Sequence, residues 1–178
     1  MHSNDQIDAP MKRARLSVPG FLAALALLLA AQSDAYAQVS CSLSVTPLTF
    51  GAYTGVQAQV TGTVDLTCSG PPGSRPSYTV TASPGNSGNY AQRYLRRAQL
   101  PAETINYSLT IALGNANATA NWGDGSNGTS AWSGQTQPIN AGNPQRIAST
   151  TITGTIAAGP VPAAGSYSDT IVVTATWN

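Results

Sequence analysis

The chain has 178 residues, of which 42% are hydrophobic and only 8% charged, and its formal net charge is +1. A balance this near neutral lacks the basic excess of a nucleic-acid binder, so no nucleic acid is expected as a partner. Such scarcity of charge beside so much apolar content also points to a segment outside the fold, and one stands at the front.

Met11 is followed by Lys12, Arg13 and Arg15, then by an apolar run from Phe21 to Ala31, then by Ala35, Tyr36 and Ala37. A basic, then apolar, then small-x-small order is that of a secretory signal, with cleavage expected after Ala37. Residues 1–37 are assigned to this signal, and residues 1–10, polar and acidic, read as an extension ahead of a true start at Met11. No later stretch reaches the roughly 18 uninterrupted apolar residues of a membrane helix, so no stable membrane insertion is expected.

Residues 38–178 form one expected domain, large enough to bury roughly two-thirds of its unfolded surface. His2 and Lys12 are the only His and Lys, and both lie in the part to be removed. What remains to ionise is Arg75, Arg93, Arg96, Arg97 and Arg146 against Asp65, Glu103, Asp124 and Asp169, with Tyr and Cys besides. That set excludes Ser/His/Asp and Cys/His nucleophiles, Ser/Lys dyads, Schiff bases and zinc sites that need imidazole. Asp124 beside Gly123 and Gly125 supplies one carboxylate where calcium needs several oxygens. No metal, no cofactor and no catalysis are expected. The two cysteines, Cys41 and Cys68, reach a compartment where thiols oxidise, so they are expected to pair and to stabilise the domain by roughly 3 to 4 kcal/mol.

Apolar residues recur at a period of two, the signature of half-buried strands. Cys41, Leu43 and Val45 open the series; Leu48 and Phe50 then fall on the opposite parity with Pro47 between, which predicts a first strand that breaks and lies at an edge. Val64, Leu66 and Cys68 alternate with Thr63, Asp65 and Thr67, and Tyr78, Val80 and Ala82 repeat the pattern. The clearest run is Ile105, Tyr107, Leu109, Ile111 and Leu113, followed later by Ile152 and Ile156 and by Tyr167, Ile171, Val173, Ala175 and Trp177. Turn-rich clusters at 69–76, 83–89 and 121–134 separate these runs, and no helical period or fixed repeat is present. Six to eight short strands of this kind predict an all-β, two-sheet antiparallel sandwich of immunoglobulin-like type, with a jelly roll as the alternative. The bridge would then tie adjacent strands.

Three blocks carry a family resemblance. Cys41-x-Leu43-x-Val45 precedes Leu48-Thr49-Phe50-Gly51-Ala52-Tyr53 and Gly62-x-Val64-x-Leu66-x-Cys68; Asn106-Tyr107-Ser108-Leu109 and Trp122-Gly123-Asp124-Gly125 follow; Gly154-Thr155-Ile156 and the stretch from Gly165 to Thr174 close the series. In this order they resemble the spore coat protein U domain family, which includes subunits of archaic chaperone/usher pili. The resemblance implies an incomplete, pilin-like immunoglobulin sandwich that lacks its final strand. It implies as partners a periplasmic chaperone, an outer-membrane usher and other pilus subunits, the missing strand being donated from outside. It also implies export through the inner membrane to the periplasm and then to the cell surface. The candidate acceptor groove is assigned to Leu43, Val45, Ile171, Val173, Ala175 and Trp177. Only Gln38, Val39 and Ser40 precede Cys41 in the expected mature chain, so this protein is expected to accept a strand rather than to donate one.

The remaining features admit two readings each. Trp122 and Trp132 flank an Asn/Gly-rich loop and are candidates for a surface or glycan contact; the alternative is that Trp122 anchors the loop on the core. Arg93, Arg96 and Arg97 are read as a solvated edge strand whose charges block unwanted pairing. Asp169, in a core-facing register, is read as an acceptor for backbone N–H groups or a partner for an Arg. The expected function is a structural subunit of a pilus or surface coat supporting adhesion or biofilm formation. A secreted carbohydrate-binding module is the alternative, and a hydrolase using two of the four carboxylates ranks last.

Overall fold

The computed structural model describes residues 38–114 and 118–178. The expected signal segment lies outside the described residues. Among the described residues ten strands run in chain order: β1 (Ser40–Val45), β2 (Ala58–Ser69), β3 (Ser77–Ala82), β4 (Arg93–Arg97), β5 (Thr104–Ala112), β6 (Thr119–Asn121), β7 (Trp132–Gln135), β8 (Gln145–Ile156), β9 (Tyr167–Ser168) and β10 (Val173–Trp177). The larger sheet has the order β1-β2-β8-β5-β4-β9, with β6 also on β5, and the smaller has the order β10-β3-β7. Every ladder between these strands is antiparallel. The fold is an all-β antiparallel sandwich of two sheets.

Strand alternation decides what the two sheets bury. On β2 the residues Gly62, Val64, Leu66 and Cys68 face inward and Thr61, Thr63, Asp65 and Thr67 face out. Their register partners on β8 and β5 keep the parity: Gly62 pairs with Ile152, and Leu109 pairs with Gly154. The core closes with Tyr78, Val80 and Ala82 of β3 and with Trp122 and Trp132. Outward positions of β2, β5 and β8 are mostly Thr and Ser, which suit a solvated face of a paired sheet.

Beyond Val45 the chain leaves the strand, as the switch of parity at Pro47 predicts. Leu48 and Phe50 then lie over the large sheet where it carries no side chain. A Cβ on Gly62 would sit 2.9 Å from the Thr46 carbonyl oxygen, and one on Gly154 would sit 2.8 Å from the Phe50 ring. These two glycines make room for the segment, and the Tyr53 hydroxyl fixes its far end by donating to the Ala157 carbonyl at 2.7 Å.

Three expectations need correction. The single strand expected over 167–177 is two strands in different sheets, because the chain crosses between layers over 169–172. The loop expected over 121–134 ends in β7 and begins within β6. The arginine cluster is no solvated edge: β4 lies between β5 and β9, and Arg93 is 1% exposed. A guanidinium survives there because its two terminal nitrogens donate to the carbonyls of Ser83 at 2.9 Å and Trp122 at 2.7 Å and to Asn121 Oδ1 at 3.2 Å, leaving only Nε without a partner. Burial lowers its pKa from the ordinary arginine value. Arg97 pairs with Glu103 at 2.6 Å, and Arg96 donates to the Tyr94 hydroxyl.

The buried guanidinium therefore fastens the loop ends at Ser83 and Trp122 to β4. Arg93→Met keeps most of the volume but strands one buried and one partly buried carbonyl, and should cost about 2 to 4 kcal/mol in denaturant unfolding. Arg93→Lys should recover less than half, since an ammonium cannot reproduce the fork. A loss under about 0.5 kcal/mol for Arg93→Met would contradict this role.

Candidate functional site

The site is built from the two strands that end the sheets. The Cα partners of β1 on β2 run from Ser40 with Ser69 to Val45 with Val64, and the Thr46 N–H donates to the Thr63 carbonyl. In an antiparallel ladder hydrogen-bonded and non-bonded pairs alternate. Ser40, Ser42 and Ser44 therefore bond to β2, while the N–H and C=O groups of Cys41, Leu43 and Val45 point away from it. The same reasoning applies to β10. Ser83 N–H donates to the Val172 carbonyl and Asn178 N–H to the Ser77 carbonyl, so Val173, Ala175 and Trp177 turn their backbone groups away from β3. Neither edge has a strand partner among the described residues.

Between these edges lies an open groove of about 570 Å³. Leu43, Val45 and Leu48 line one side, Ile171 and Val173 the other, and Leu109, Trp122 and Ile152 contribute to the lining between. Of the six residues assigned to an acceptor groove from sequence, Leu43, Val45, Ile171 and Val173 line it. Ala175 packs against the core beyond it, and Trp177 is exposed at the chain end beside Tyr78, its Cα partner. Sequence reasoning did not assign Leu48, Leu109, Trp122 and Ile152 to the groove: Leu109 and Ile152 showed their alternation, but the position of all four under the gap was not visible.

Cys41 and Cys68 are joined, with their Cα atoms 4.0 Å apart. They face each other as a non-bonded pair, the arrangement that brings Cα atoms closest across an antiparallel ladder. The bridge holds β1, one wall of the groove, to β2.

Phe50 and Tyr107 meet edge to face with ring centroids 6.1 Å apart, and both line the groove. The Tyr107 hydroxyl donates to Asp169 Oδ2 at 2.6 Å. Burial first, and then this bond to a carboxylate, push the phenol pKa well above its ordinary value. Asp169 also accepts the backbone N–H groups of Asn86 and Thr170, which fixes the crossover from β9 to β10. The backbone-acceptor reading of Asp169 describes these contacts.

The two tryptophans are not a platform for sugars. Trp122 is 1% and Trp132 is 5% exposed; the first donates its Nε1–H to the Val80 carbonyl at 3.4 Å and the second packs edge to face on Tyr78. The surface or glycan contact expected at these positions is corrected by their burial. Among the described residues no group of three or more His, Cys, Asp or Glu could hold a metal ion, and no helix is long and apolar enough to cross a membrane.

The residues that build the groove and its bridge lie within a family match: the model of the Spore Coat Protein U domain matches residues 25–174. The chain belongs to the Spore Coat Protein U domain family. No curated protein matches it. Among solved structures, a chain of a chaperone–tip adhesin complex described as vital for synergistic activation of CFA/I fimbriae biogenesis is similar at 18% identity and a TM-score of 0.44. That likeness covers 79% of this chain and 42% of the other, so the Spore Coat Protein U domain chain spans less than half of its length. Within the Spore Coat Protein U domain, the matched region takes in Cys41, Cys68, both glycines under Leu48 and Phe50, and Asp169.

Proposed function

We propose that this protein is an exported structural subunit of a chaperone/usher-type pilus or surface coat, completed by a strand from another polypeptide. A periplasmic chaperone would hold the groove first, and a neighbouring subunit would replace it at the outer-membrane usher. The assembled fibre would serve adhesion or biofilm formation, and the subunit itself would carry out no catalysis. The observation that carries this reading is an apolar groove bounded on both sides by strand edges without partners among the described residues. Membership of the Spore Coat Protein U domain family supports it.

The physical case rests on what such a groove lacks. An unpaired edge is a template for another strand, and alternate side chains of that strand would enter the apolar slot. A segment as long as β10 would place three side chains inward, contributing roughly 5 to 9 kcal/mol before the costs of association. The backbone ladder adds to this without demanding a particular sequence.

A titration of the purified protein with an alternating valine/threonine peptide tests the proposal, read by the fluorescence of Trp122 at the groove lining. Saturable binding is expected, and a peptide of the same composition without alternation should not bind. Val173→Asp places a charge where an inserted side chain would be buried, and should weaken binding at least about 100-fold while leaving the open-groove protein folded. Equal binding of both peptides, or an unaffected Val173→Asp variant, would reject the reading.

A further inference from the structure

The groove is not apolar throughout. At the end marked by Phe50 and Tyr107 its lining includes Asp169, which starts the inward run Asp169, Ile171 and Val173. The position of this carboxylate is tightly fixed. Oδ1 accepts the N–H groups of Asn86 and Thr170, each at 2.7 Å, and Oδ2 accepts the Tyr107 hydroxyl. Gly85 lies against it at φ 72°, and a Cβ at that position would collide with both carboxylate oxygens. Asp169 therefore cannot swing aside when the groove fills.

An ionised carboxylate offers about four acceptor sites. Three are occupied within the protein, which leaves one site on Oδ2 without a protein donor in a residue that lines the groove. A strand that covers this end takes the last site out of water, which costs free energy unless the strand supplies a donor. Apolar contacts alone hold a strand equally well after a slip of two residues, because the same face still points inward. A single polar position at the end of the slot removes that degeneracy, as one buried polar residue fixes register in a coiled coil.

We infer that Asp169 sets the register of the inserted strand, an inference that rests on the strand-acceptor reading above. The partner segment carries apolar side chains opposite Leu43, Val45, Ile171 and Val173, and a hydrogen-bond donor such as Ser, Thr or Asn where it passes Asp169. Asp169 is thus a specificity-determining residue of the groove, besides holding the β9 to β10 crossover.

Three peptides of about nine residues, the length of a strand, make the test: alternating valine and threonine throughout, the same with serine at the first inward position, and the same with serine at the last. Using both ends covers either direction of insertion. One serine peptide should bind about tenfold more tightly than the valine peptide and the other should not, and Asp169→Asn should abolish the difference. Asparagine can still accept the two backbone N–H groups through Oδ1, and the comparison in the unaltered protein stands even if the variant fails to fold. A valine peptide that binds as well as both serine peptides, or a preference that persists in Asp169→Asn, overturns the inference alone. Failure of all three peptides to bind would overturn the strand-acceptor reading and this inference with it.

Discussion

Replacing Cys41 and Cys68 together by serine is expected to lower the unfolding free energy by roughly 3 to 4 kcal/mol, the loop-closure value for cysteines 27 positions apart. The effect should exceed loss of an ordinary contact because β1 has only one strand neighbour. Its other edge is open, and without the bridge the unfolded chain regains the freedom of the whole segment that joins β1 to the end of β2. Leu43 and Val45 would then no longer be held as a wall of the groove, so peptide affinity should fall together with stability. Denaturant unfolding of the double variant beside the oxidised protein measures the first effect, and peptide titration the second. A change below about 1 kcal/mol would mean that the ladder between β1 and β2 suffices.

Trp122→Ala should be at least as damaging, at about 3 to 5 kcal/mol. The ring is almost fully buried, lies among the groove-lining residues and packs in the core between the sheets, while its Nε1–H reaches the Val80 carbonyl of β3. The backbone of the same residue accepts from Arg93 and donates to the Leu109 carbonyl. Truncation therefore leaves a cavity where the layers meet and removes the indole bond to the Val80 carbonyl. Against a total of about 5 to 15 kcal/mol for a domain, this loss would leave little folded protein to purify. Trp122→Phe should cost roughly half as much, since most of the ring volume stays. A Trp122→Ala variant as stable as the parent would place the ring outside the core and revive the sugar-platform reading.

Much of the sandwich was legible from sequence because one face of each sheet is wet. Val64, Leu66 and Cys68 on β2 and Leu109 and Ile111 on β5 are buried as their alternation requires. The break at Pro47 and the pairing of the cysteines across adjacent strands followed from parity and compartment. Periodicity could not reveal where the chain changes sheets. Tyr167, Asp169, Ile171 and Val173 keep one parity through the crossover, so an alternating pattern reads the same whether the strand continues or moves to the other layer. Nor could it place Arg93, because the carbonyls of Ser83 and Trp122 that make its burial tolerable come from distant loops. On β8 the outward Ile147 blurs the inward and outward signals, which hid the first half of that strand.

The groove was only half legible for a similar reason. Four of the six residues assigned to it line it, as strand-edge positions deduced from order along the chain. Among its other lining residues, Leu109, Trp122 and Ile152 belong to strands and a loop whose approach beneath β1 and β10 depends on sheet order. The strand that would fill the groove is named by chemistry rather than by sequence: alternating, apolar on one face, with a donor near Asp169.

Amide hydrogen exchange at the two open edges tests the central claim most directly. In the protein alone, the amides of Val173, Ala175 and Trp177 on β10 and of Leu43 and Val45 on β1 should exchange rapidly, while Thr174 and Thr176, bonded to β3, exchange slowly. Addition of a bound alternating peptide should protect the open-edge amides and leave the others little changed. If those edge amides are already protected in the isolated protein, or stay unprotected with peptide bound, the groove is not a strand acceptor.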